Sequence, residues 1–270
     1  MDALHEKLDA LRGELERLNR VAVAFSAGVD STFLLRVAHD TLGDRAFAVT
    51  AQSCLFPARE TAAARDFCRR EGIEQIVVTH EPLEIEGFRE NPPDRCYRCK
   101  RALFTRFADL AAQRGAALAE GSNRDDEGDY RPGMRAIAEL GVTSPLRAAG
   151  LTKADVRALS RELGLPTWDK PSFACLASRF AYGETITAEG LERVDAAERL
   201  LLEKGFRQFR VRVHGELARV EVLPEDMPEL LRHARALHDA LRGMGFRYVT
   251  LDLGGYQSGS MNRVLTDPSA

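Results

Sequence analysis

The segment that follows the first apolar run has the residue types needed to bind a phosphate chain. It reads AFSAGVDSTFLL over residues 24–35. Small residues such as Ser26 and Gly28 let backbone N–H groups approach an anion, and the N-terminus of a following helix adds a favourable dipole. The hydroxyls of Ser26 and Ser31 donate hydrogen bonds, and the Asp30 carboxylate can hold Mg²⁺ against phosphate oxygens. The lysine of the common loop GxxxxGK[ST] is absent, and an ordinary capped turn is the alternative.

A second polar segment follows the fourth candidate strand and therefore lies at the same edge of the sheet. It covers residues 120–133 and reads EGSNRDDEGDYRPG. Its Gly-Ser-Asn start suits a tight turn, and its acids crowd the expected metal–phosphate site. If the loop at 26–31 binds ATP, one of three acids is expected to assist Mg²⁺, namely Asp125, Asp126 or Asp129. The alternative is a solvated acidic loop.

Three cysteines have spacing and neighbours that suit sulfur or metal chemistry. Cys96 and Cys99 form a CxxC pair, which is half of a zinc site or a redox pair. Cys175 lies in a loop rich in small residues and precedes Ser178 and Arg179, whose guanidinium could lower the thiol pKa or bind an anionic substrate. Three thiolates can hold a cubane cluster by three of its irons and leave the fourth open. The alternative is a buried Cys175 and a vestigial or adventitious zinc-binding CxxC.

Two arginines in the last third of the chain suit an anionic substrate. Arg210 and Arg212 are two residues apart in an alternating segment, so they share one face of a strand. Side-by-side guanidiniums suit a phosphate or a carboxylate, and Glu198 and Glu221 are expected close by. The alternative is a solvated strand face that carries Arg–Glu pairs.

The elements that position these residues follow from the pattern of apolar residues. Apolar runs predict buried strands at 21–25, 47–51 and 75–79, with weaker candidates at 116–120 and 143–146. Helical periods predict helices within the first twenty residues and at about 30–41, 57–71, 100–114, 132–140 and 151–164. This alternation predicts an α/β fold with an open parallel sheet and helices on both faces, which binds ligands at the carboxyl ends of its strands.

A smaller α+β unit is predicted at the C-terminal end. Segments 187–205 and 224–241 have helical periods, 208–214 and 217–223 alternate as a hairpin, and 246–253 is a strand. The expected domains are 1–167 with the nucleotide site, 168–184 as a linker and active-site loop, and 185–270 as a domain for substrate binding or oligomerisation.

Composition limits the class of protein. The chain has 270 residues, 44% hydrophobic and 29% charged, with a formal net charge of −3. These values fit a core-forming protein in water, and the even charge balance argues against a broad nucleic-acid surface. No apolar run approaches the roughly 20 residues of a membrane span, and the first twenty residues lack the apolar stretch of a signal peptide. Five cysteines in such a chain indicate a reducing, cytoplasmic location; Cys68 is predicted to lie in the core, and Cys54 is also assigned a structural role.

The loop at 26–31 resembles the SGGxDS pyrophosphate loop of the N-type (PP-loop) ATP pyrophosphatases, the group that includes GMP synthetase, NAD synthetase and tRNA thiolases. The resemblance implies cleavage of ATP between its α and β phosphates. Ala27 departs from the pattern because that position is usually Gly, and a positive φ there would strain an alanine. The pyrophosphate and Mg²⁺ contacts that the resemblance implies are Ser26, Gly28, Asp30 and Ser31.

Over nearly the full chain, five motifs resemble those of one family. SAGVDS, RCYRCK, GSNRDD-x-x-D-x-RPG, KPSFACLASR and RVRVHGELARVEV occur in the order seen in the pyridinium-3,5-biscarboxylic acid mononucleotide sulfurtransferases of lactate racemase maturation. The resemblance implies that ATP adenylates a carboxylate of a pyridinium mononucleotide, that sulfur then displaces AMP, and that the product later binds nickel. It makes Arg210 and Arg212 the candidates for the substrate's phosphate, with Ser178 and Arg179 as further substrate contacts.

The resemblance also implies two sulfur sources. In one branch of the family three cysteines bind a [4Fe–4S] cluster whose open iron carries a sulfide; in the other, a single cysteine at the position of Cys175 gives up its sulfur and becomes dehydroalanine. The chain has Cys96, Cys99 and Cys175, so we expect the cluster branch, with ATP and Mg²⁺ as the other cofactors. Family members form trimer-based hexamers, so a homo-oligomer is expected. The charge balance and the lack of a long apolar run lead us to expect no nucleic-acid or membrane partner.

Three other functions stay open at this point. A tRNA thiolase shares the loop, the thiols and the adenylation step but would need an RNA-binding surface. A non-catalytic ATP-binding module would use the same sheet and release little or no pyrophosphate. A structural zinc protein would need ligands that the sequence does not supply.

Overall fold

The computed structural model describes residues 3–126, 132–257 and 259–262. The chain divides into two compact units. The first comprises residues 1–80 and 96–173, and the second comprises residues 81–95 and 174–270. Across the described ranges, no helix combines the length and the apolar character that crossing a membrane requires.

A four-stranded sheet is the centre of the first unit. Its strands are β1 (Val21–Ala24), β2 (Ala46–Gln52), β3 (Gln75–Thr79) and β4 (Ala117–Ala119), all parallel and in the order β3-β2-β1-β4. The predicted parallel sheet is confirmed. Because β2 and β4 lie on opposite sides of β1, the carboxyl ends of β1 and β4 border a topological switch point, where open α/β sheets bind ligands.

Helices cover both faces of this sheet. Helices α1 (Ala3–Leu18), α2 (Val29–Leu42), α3 (Ala58–Glu71), α6 (Pro145–Ala148) and α7 (Lys153–Glu162) pack on one face, and α4 (Arg95–Gln113) and α5 (Pro132–Glu139) pack on the other. Successive residues of a strand point to opposite faces, so Val21 and Val23 join the first core while Ala22 joins the second. The sheet is therefore buried on both sides.

Two predicted elements of the first unit differ from the structure. The weak strand candidate at 143–146 contributes a single bridge between Thr143 and Ala119, because Pro145 begins α6 directly after it. Proline suits that first helical position, since its φ is already helical and no N–H is lost there. The helix predicted from about residue 100 begins at Arg95, so the CxxC pair lies inside its first turns rather than before it.

A three-stranded sheet and three helices form most of the second unit. Strands β5 (Phe209–His214) and β6 (Leu217–Val222) form the predicted antiparallel hairpin, and β7 (Tyr248–Leu251) pairs with β6 in parallel. Helix α8 (Ala188–Glu203) precedes the hairpin. The sequence predicts a single helix at 224–241, but the structure has a 3₁₀ turn and two helices there. The turn covers Pro224–Asp226, and His233 separates α9 (Met227–Arg232) from α10 (Ala234–Gly243).

A fully buried ion pair joins three parts of the second unit. Arg179 donates to both carboxylate oxygens of Glu198 at 2.8 and 2.9 Å, and both side chains are 0% exposed. Glu198 lies on α8 and also accepts the backbone N–H of Val211 on β5 at 3.1 Å. A buried pair adds little net stability, but either charge left alone in the core is costly. The pair therefore fixes α8 and β5 relative to the 3₁₀ turn at Leu176–Arg179.

We expect that Glu198→Gln lowers the free energy of unfolding of the second unit by about 3–5 kcal/mol, because Arg179 keeps its charge without a buried counter-charge. Hydrogen exchange of the α8 and β5 amides measures this change. The double substitution Arg179→Met, Glu198→Leu should recover much of the loss. Glu216→Gln, which breaks the exposed pair with Arg247, is the control and should cost less than about 1 kcal/mol. Equal effects of the two single substitutions would contradict this account of the pair.

Candidate functional site

The loop between β1 and α2 presents a compact set of hydroxyl and amide donors. Gly28 is the N-cap of α2. The Ser26 and Ser31 hydroxyl oxygens lie 3.1 Å apart, and the Ser26 backbone N–H donates to the Ser31 hydroxyl at 3.3 Å. Ser31 is buried while Ser26 is exposed. The loop thus closes on itself through its two serines, with the N-terminus of α2 at its centre.

Ala27 adopts the left-handed backbone conformation that favours glycine. Its φ is 54°, and its side chain is buried. A non-glycine residue in this region costs about 1–3 kcal/mol and persists only where the surroundings hold it. The strain anticipated for an alanine at this position is therefore present.

Two glycines make room around the loop. A Cβ on Gly28 would lie 3.4 Å from the Ser26 hydroxyl oxygen and 4.0 Å from that of Ser31, so glycine leaves the space next to the serine pair open. A Cβ on Gly121 would lie 3.1 Å from the Ser31 backbone nitrogen and 3.2 Å from the Asp30 Cβ. Gly121 follows β4, so the two predicted polar segments do meet at the carboxyl ends of β1 and β4.

The Asp30 carboxylate already holds a cation. One of its oxygens pairs with the Lys153 ammonium group, and the other accepts from the Asn123 amide at 3.2 Å. Lys153 is the first residue of α7, after its N-cap Thr152. A positive charge at a helix N-terminus opposes the helix dipole, and this unfavourable placement is the signal by which the sequence could have indicated an anionic partner for Lys153.

Two acids of the second segment, Asp125 and Asp126, accept hydrogen bonds from backbone N–H groups. Asp125 accepts the backbone N–H of Lys153 at 2.9 Å, and Asp126 accepts the backbone N–H of Asn123 at 3.0 Å. Each carboxylate thereby fixes a residue that contacts Asp30. Asp129, the third candidate, lies outside the described residues.

Glu120 is a buried acid of this edge that sequence reasoning missed. It accepts from the Ser122 backbone N–H at 3.0 Å, from the Ser122 hydroxyl at 2.8 Å, and from the Ser144 hydroxyl. It is 8% exposed. These bonds hold the turn after β4 in the position where Gly121 touches the loop.

Cys96 and Cys99 lie in the first turns of α4, three residues apart and therefore on one face of the helix. Both are partly buried. The Cys99 sulfur lies 3.3 Å from Nε2 of His80, which follows β3 and is 3% exposed. Burial, with a smaller contribution from the charge of Arg106, lowers the pKa of His80 below its ordinary value and so favours the neutral imidazole. His80 has no second candidate ligand close to it in the sequence, and the fold brings it to Cys99.

The remaining thiols separate into two environments. Cys68 is 2% exposed within the core, where burial raises its pKa to about 12, so its predicted core position is confirmed. Cys54 is exposed, and the structural role assigned to it has no core packing to support it. All five cysteines belong to the described part of the chain, and none forms a disulfide.

The third candidate thiol, Cys175, belongs to the second unit. It precedes the 3₁₀ turn at Leu176–Arg179. Its backbone carbonyl accepts from the Ser178 hydroxyl at 2.8 Å and from the Arg179 guanidinium at 3.2 Å. The Arg179 charge is already balanced by Glu198. Arg179 and Ser178 therefore hold the backbone beside the thiol. Within residues 3–126, 132–257 and 259–262, no three Cys, His, Asp or Glu side chains gather into a metal site.

The two strand arginines are buried, so the alternative of a solvated strand face does not apply. Arg210 is 4% exposed, and its guanidinium lies 4.9 Å from the ring centre of Tyr256. Burial, followed by the charge of Arg179, lowers the pKa of Arg210 to about 10. Arg212 donates to Glu221 at 3.0 and 3.1 Å. Glu221 therefore lies nearby, as expected, and Glu198 is close enough for its charge to favour the protonated form of Arg210.

No model of a known protein family matches the chain. An uncharacterized protein of Synechocystis sp. is 43% identical over 97% of this chain and 99% of its own length. The pyridinium-3,5-bisthiocarboxylic acid mononucleotide synthase of Lactiplantibacillus plantarum is 41% identical over 98% of this chain and 97% of its own length. A tRNA-specific 2-thiouridylase of Azorhizobium caulinodans is 31% identical over 56% of this chain and 49% of its own length.

These similarities agree with the observed sheet and with the loop at its edge. The 2-thiouridylase match agrees with a PP-loop sheet in the first unit. The match to the synthase extends over both units and covers almost the whole of both proteins. The chain belongs to the family of pyridinium-3,5-bisthiocarboxylic acid mononucleotide synthases.

Proposed function

We propose that the chain is an ATP-dependent sulfurtransferase that adenylates a carboxylate of pyridinium-3,5-biscarboxylic acid mononucleotide and replaces it with a thiocarboxylate. The observation that carries this proposal is the donor set of Ser26, Gly28 and Ser31 at the switch point between β1 and β4. That position and those groups suit a pyrophosphate. The name of the Lactiplantibacillus plantarum relative supplies the product, a bisthiocarboxylic acid mononucleotide, and the biscarboxylic acid is the corresponding substrate before sulfur insertion.

Asp30 fits the proposed magnesium ion because it lies in the first turn of α2, directly after the loop, and its carboxylate already attracts a cation, the Lys153 ammonium group. Carboxylate oxygens together with phosphate oxygens are the usual ligands of Mg²⁺. The ion would neutralise charge on the phosphates. Asn123 would keep the Asp30 side chain oriented, since it donates to the other carboxylate oxygen.

The proposed reaction has two displacements. A substrate carboxylate oxygen attacks the α-phosphorus of ATP, and the bond to the β-phosphate oxygen breaks to release pyrophosphate. A sulfide sulfur then attacks the acyl carbon, and AMP leaves with the former carboxylate oxygen. A carboxylate oxygen is a poor leaving group and AMP is a good one, so adenylation must come first.

We propose that the sulfide is supplied by a [4Fe–4S] cluster bound by Cys96, Cys99 and Cys175. The paired thiols on one face of α4 support this choice. Among the described residues, no three Cys, His, Asp or Glu side chains are already gathered around a metal position, so the choice rests on the presence of the three thiols. Sacrifice of the Cys175 sulfur is the alternative source.

Arg210 and Arg212 are the proposed contacts of the substrate's phosphate. Arg212 is held by Glu221, whereas burial disfavours the charged form of Arg210 and lowers its pKa. An incoming phosphate would stabilise that charge. Ser178, whose backbone carbonyl accepts from Arg212 at 3.0 Å, links these arginines to the turn beside Cys175.

The test of the function is pyrophosphate release from ATP with two candidate acceptors, under anaerobic conditions with sulfide. The pyridinium biscarboxylate mononucleotide should stimulate release, and bulk tRNA should not. Stimulation by tRNA alone would favour the tRNA thiolase that the 2-thiouridylase match suggests. Absence of release with either acceptor would favour a non-catalytic ATP-binding module.

Gly121→Ala should weaken ATP binding by about tenfold or more, because its Cβ meets the Ser31 backbone nitrogen at 3.1 Å and the N-terminus of α2 must shift. Isothermal titration calorimetry measures the dissociation constant. Gly13→Ala is the matched control, since its Cβ would have no described atom within 4 Å apart from its chain neighbours and the backbone of its own helix. An unchanged dissociation constant for Gly121→Ala would show that the loop and the turn after β4 do not form the ATP site.

Anaerobically reconstituted protein should contain about four irons per chain. Iron and sulfide content should fall in Cys96→Ala, Cys99→Ala and Cys175→Ala, because each removes a ligand. Cys54→Ala, which alters an exposed thiol outside the proposed set, should leave both unchanged. If no iron binds and mass spectrometry shows Cys175 losing one sulfur per turnover, the sacrificial route replaces the cluster.

Arg210→Gln should raise the KM for the pyridinium mononucleotide by about tenfold or more, because a charge-assisted contact to phosphate is lost. The KM for ATP should change little. Arg247→Gln, which removes an exposed arginine of the same unit, is the control. Equal changes in both KM values for Arg210→Gln would contradict the assignment of this arginine to the substrate.

A further inference from the structure

Lys170 reaches the back of the phosphate-binding loop from a distant part of the chain. Its ammonium group donates to the backbone carbonyl of Ala27 at 2.9 Å and to the Glu60 carboxylate at 2.6 Å. Both side chains are mostly buried, with 21% and 16% exposed. Lys170 is thereby held between α3, which carries Glu60, and the residue with the strained backbone.

The Ala27 carbonyl determines where the next amide points. The peptide between Ala27 and Gly28 is trans, so its C=O and N–H point in opposite directions. A carbonyl held by Lys170 on one side of the loop therefore directs the Gly28 N–H to the other side. The positive φ of Ala27 contributes to this orientation, because rotation about its N–Cα bond turns the peptide that follows.

A cavity adjoins the loop where Lys170 contacts it. Its volume is about 330 Å³, and it is bordered by Ala27, Thr32, Thr167 and Lys170 among others. Among the described residues, the buried Thr32 and Thr167 hydroxyls have no hydrogen-bond partner. The polar contact from Lys170 therefore adds to the core packing of Ala27 in opposing its tendency to leave the left-handed region.

We propose that Lys170 is a positioning residue of the phosphate-binding loop: its ammonium group, anchored by Glu60, holds the Ala27 carbonyl so that the Gly28 N–H faces the bound phosphate. The inference rests on the proposed use of ATP. It explains how an alanine functions where the resembling loops have glycine. Lys170 acts through the backbone and does not itself contact the nucleotide.

The test measures binding of inorganic pyrophosphate and of adenosine by calorimetry to the full chain. Lys170→Met should weaken pyrophosphate binding by about tenfold, the value of one lost hydrogen bond to a charged group, and should leave adenosine binding unchanged. Lys170→Arg should retain part of the affinity, because a guanidinium can donate to the same carbonyl. Arg36→Met, which removes a cation paired with Asp40 and Glu71 in the same unit, should have little effect.

Glu60→Met separates positioning from simple charge attraction. This substitution removes a negative charge and leaves Lys170 in place, so electrostatics alone predicts tighter pyrophosphate binding. Loss of the anchor predicts weaker binding, which is the result we expect. Tighter binding by Glu60→Met would overturn the proposal.

Ala27→Gly provides the second discriminating variant. Glycine adopts the left-handed conformation without the penalty that alanine meets. In the Lys170→Met background it should restore several-fold of the lost affinity, while in the wild-type background it should change affinity less. Additive effects would contradict a shared action on the Ala27–Gly28 peptide.

The outcomes also separate this inference from the proposed function. If the wild-type protein binds pyrophosphate and the Lys170 and Glu60 variants bind it equally well, only the positioning role fails. If the wild-type protein binds neither pyrophosphate nor ATP, both proposals are overturned. Thermal unfolding of each variant shows whether the fold is retained, and a folded Glu60→Met or Ala27→Gly variant suffices for the decision.

Discussion

The orientation of one peptide group, between Ala27 and Gly28, is the constraint on which the proposed chemistry of the first unit depends. A parallel sheet with strand order β3-β2-β1-β4 places the end of β1 at a switch point, but topology alone only provides a crevice. Donors must also point into it. The left-handed φ of Ala27, the Lys170 contact to its carbonyl, and the serine pair that closes the loop together set that direction.

The second unit holds three buried arginines close to one another, namely Arg179, Arg210 and Arg212. Arg179 and Arg212 each have a buried glutamate, Glu198 and Glu221. The Arg210 guanidinium lies over the Tyr256 ring and near Glu198, and burial lowers its pKa. Buried ion pairs are expensive to assemble and more expensive to break. Burial disfavours the charged form of Arg210, and the phosphate of the proposed substrate would stabilise that charge.

Much of this arrangement was predictable from the sequence. The parallel sheet follows from buried apolar runs that alternate with helical periods, and the hairpin of Arg210 and Arg212 follows from strict alternation, since both signals are local. The break at His233 and the start of α4 at Arg95 were missed because helical periodicity does not mark ends precisely. Residues 81–95 belong to the second unit, and no local pattern in the sequence indicates this.

The partners of the site residues were the least predictable part. Lys153 is far from Asp30 in the sequence, as Lys170 is from Ala27 and Glu60, and His80 meets Cys99 only because β3 ends beside α4. Each pairing forms only when packing of the elements brings the two side chains within hydrogen-bond distance. The sequence indicated which groups could do chemistry, and the fold determined which charges they meet.

The central claim, that the carboxylate is activated by transfer of AMP, can be tested by following one oxygen atom. Pyridinium biscarboxylate mononucleotide labelled with ¹⁸O in its carboxylates is turned over with unlabelled ATP, and the products are analysed by mass spectrometry. The account predicts one ¹⁸O in each AMP and none in pyrophosphate. Unlabelled AMP, or the label in a phosphate released with ADP, would contradict it.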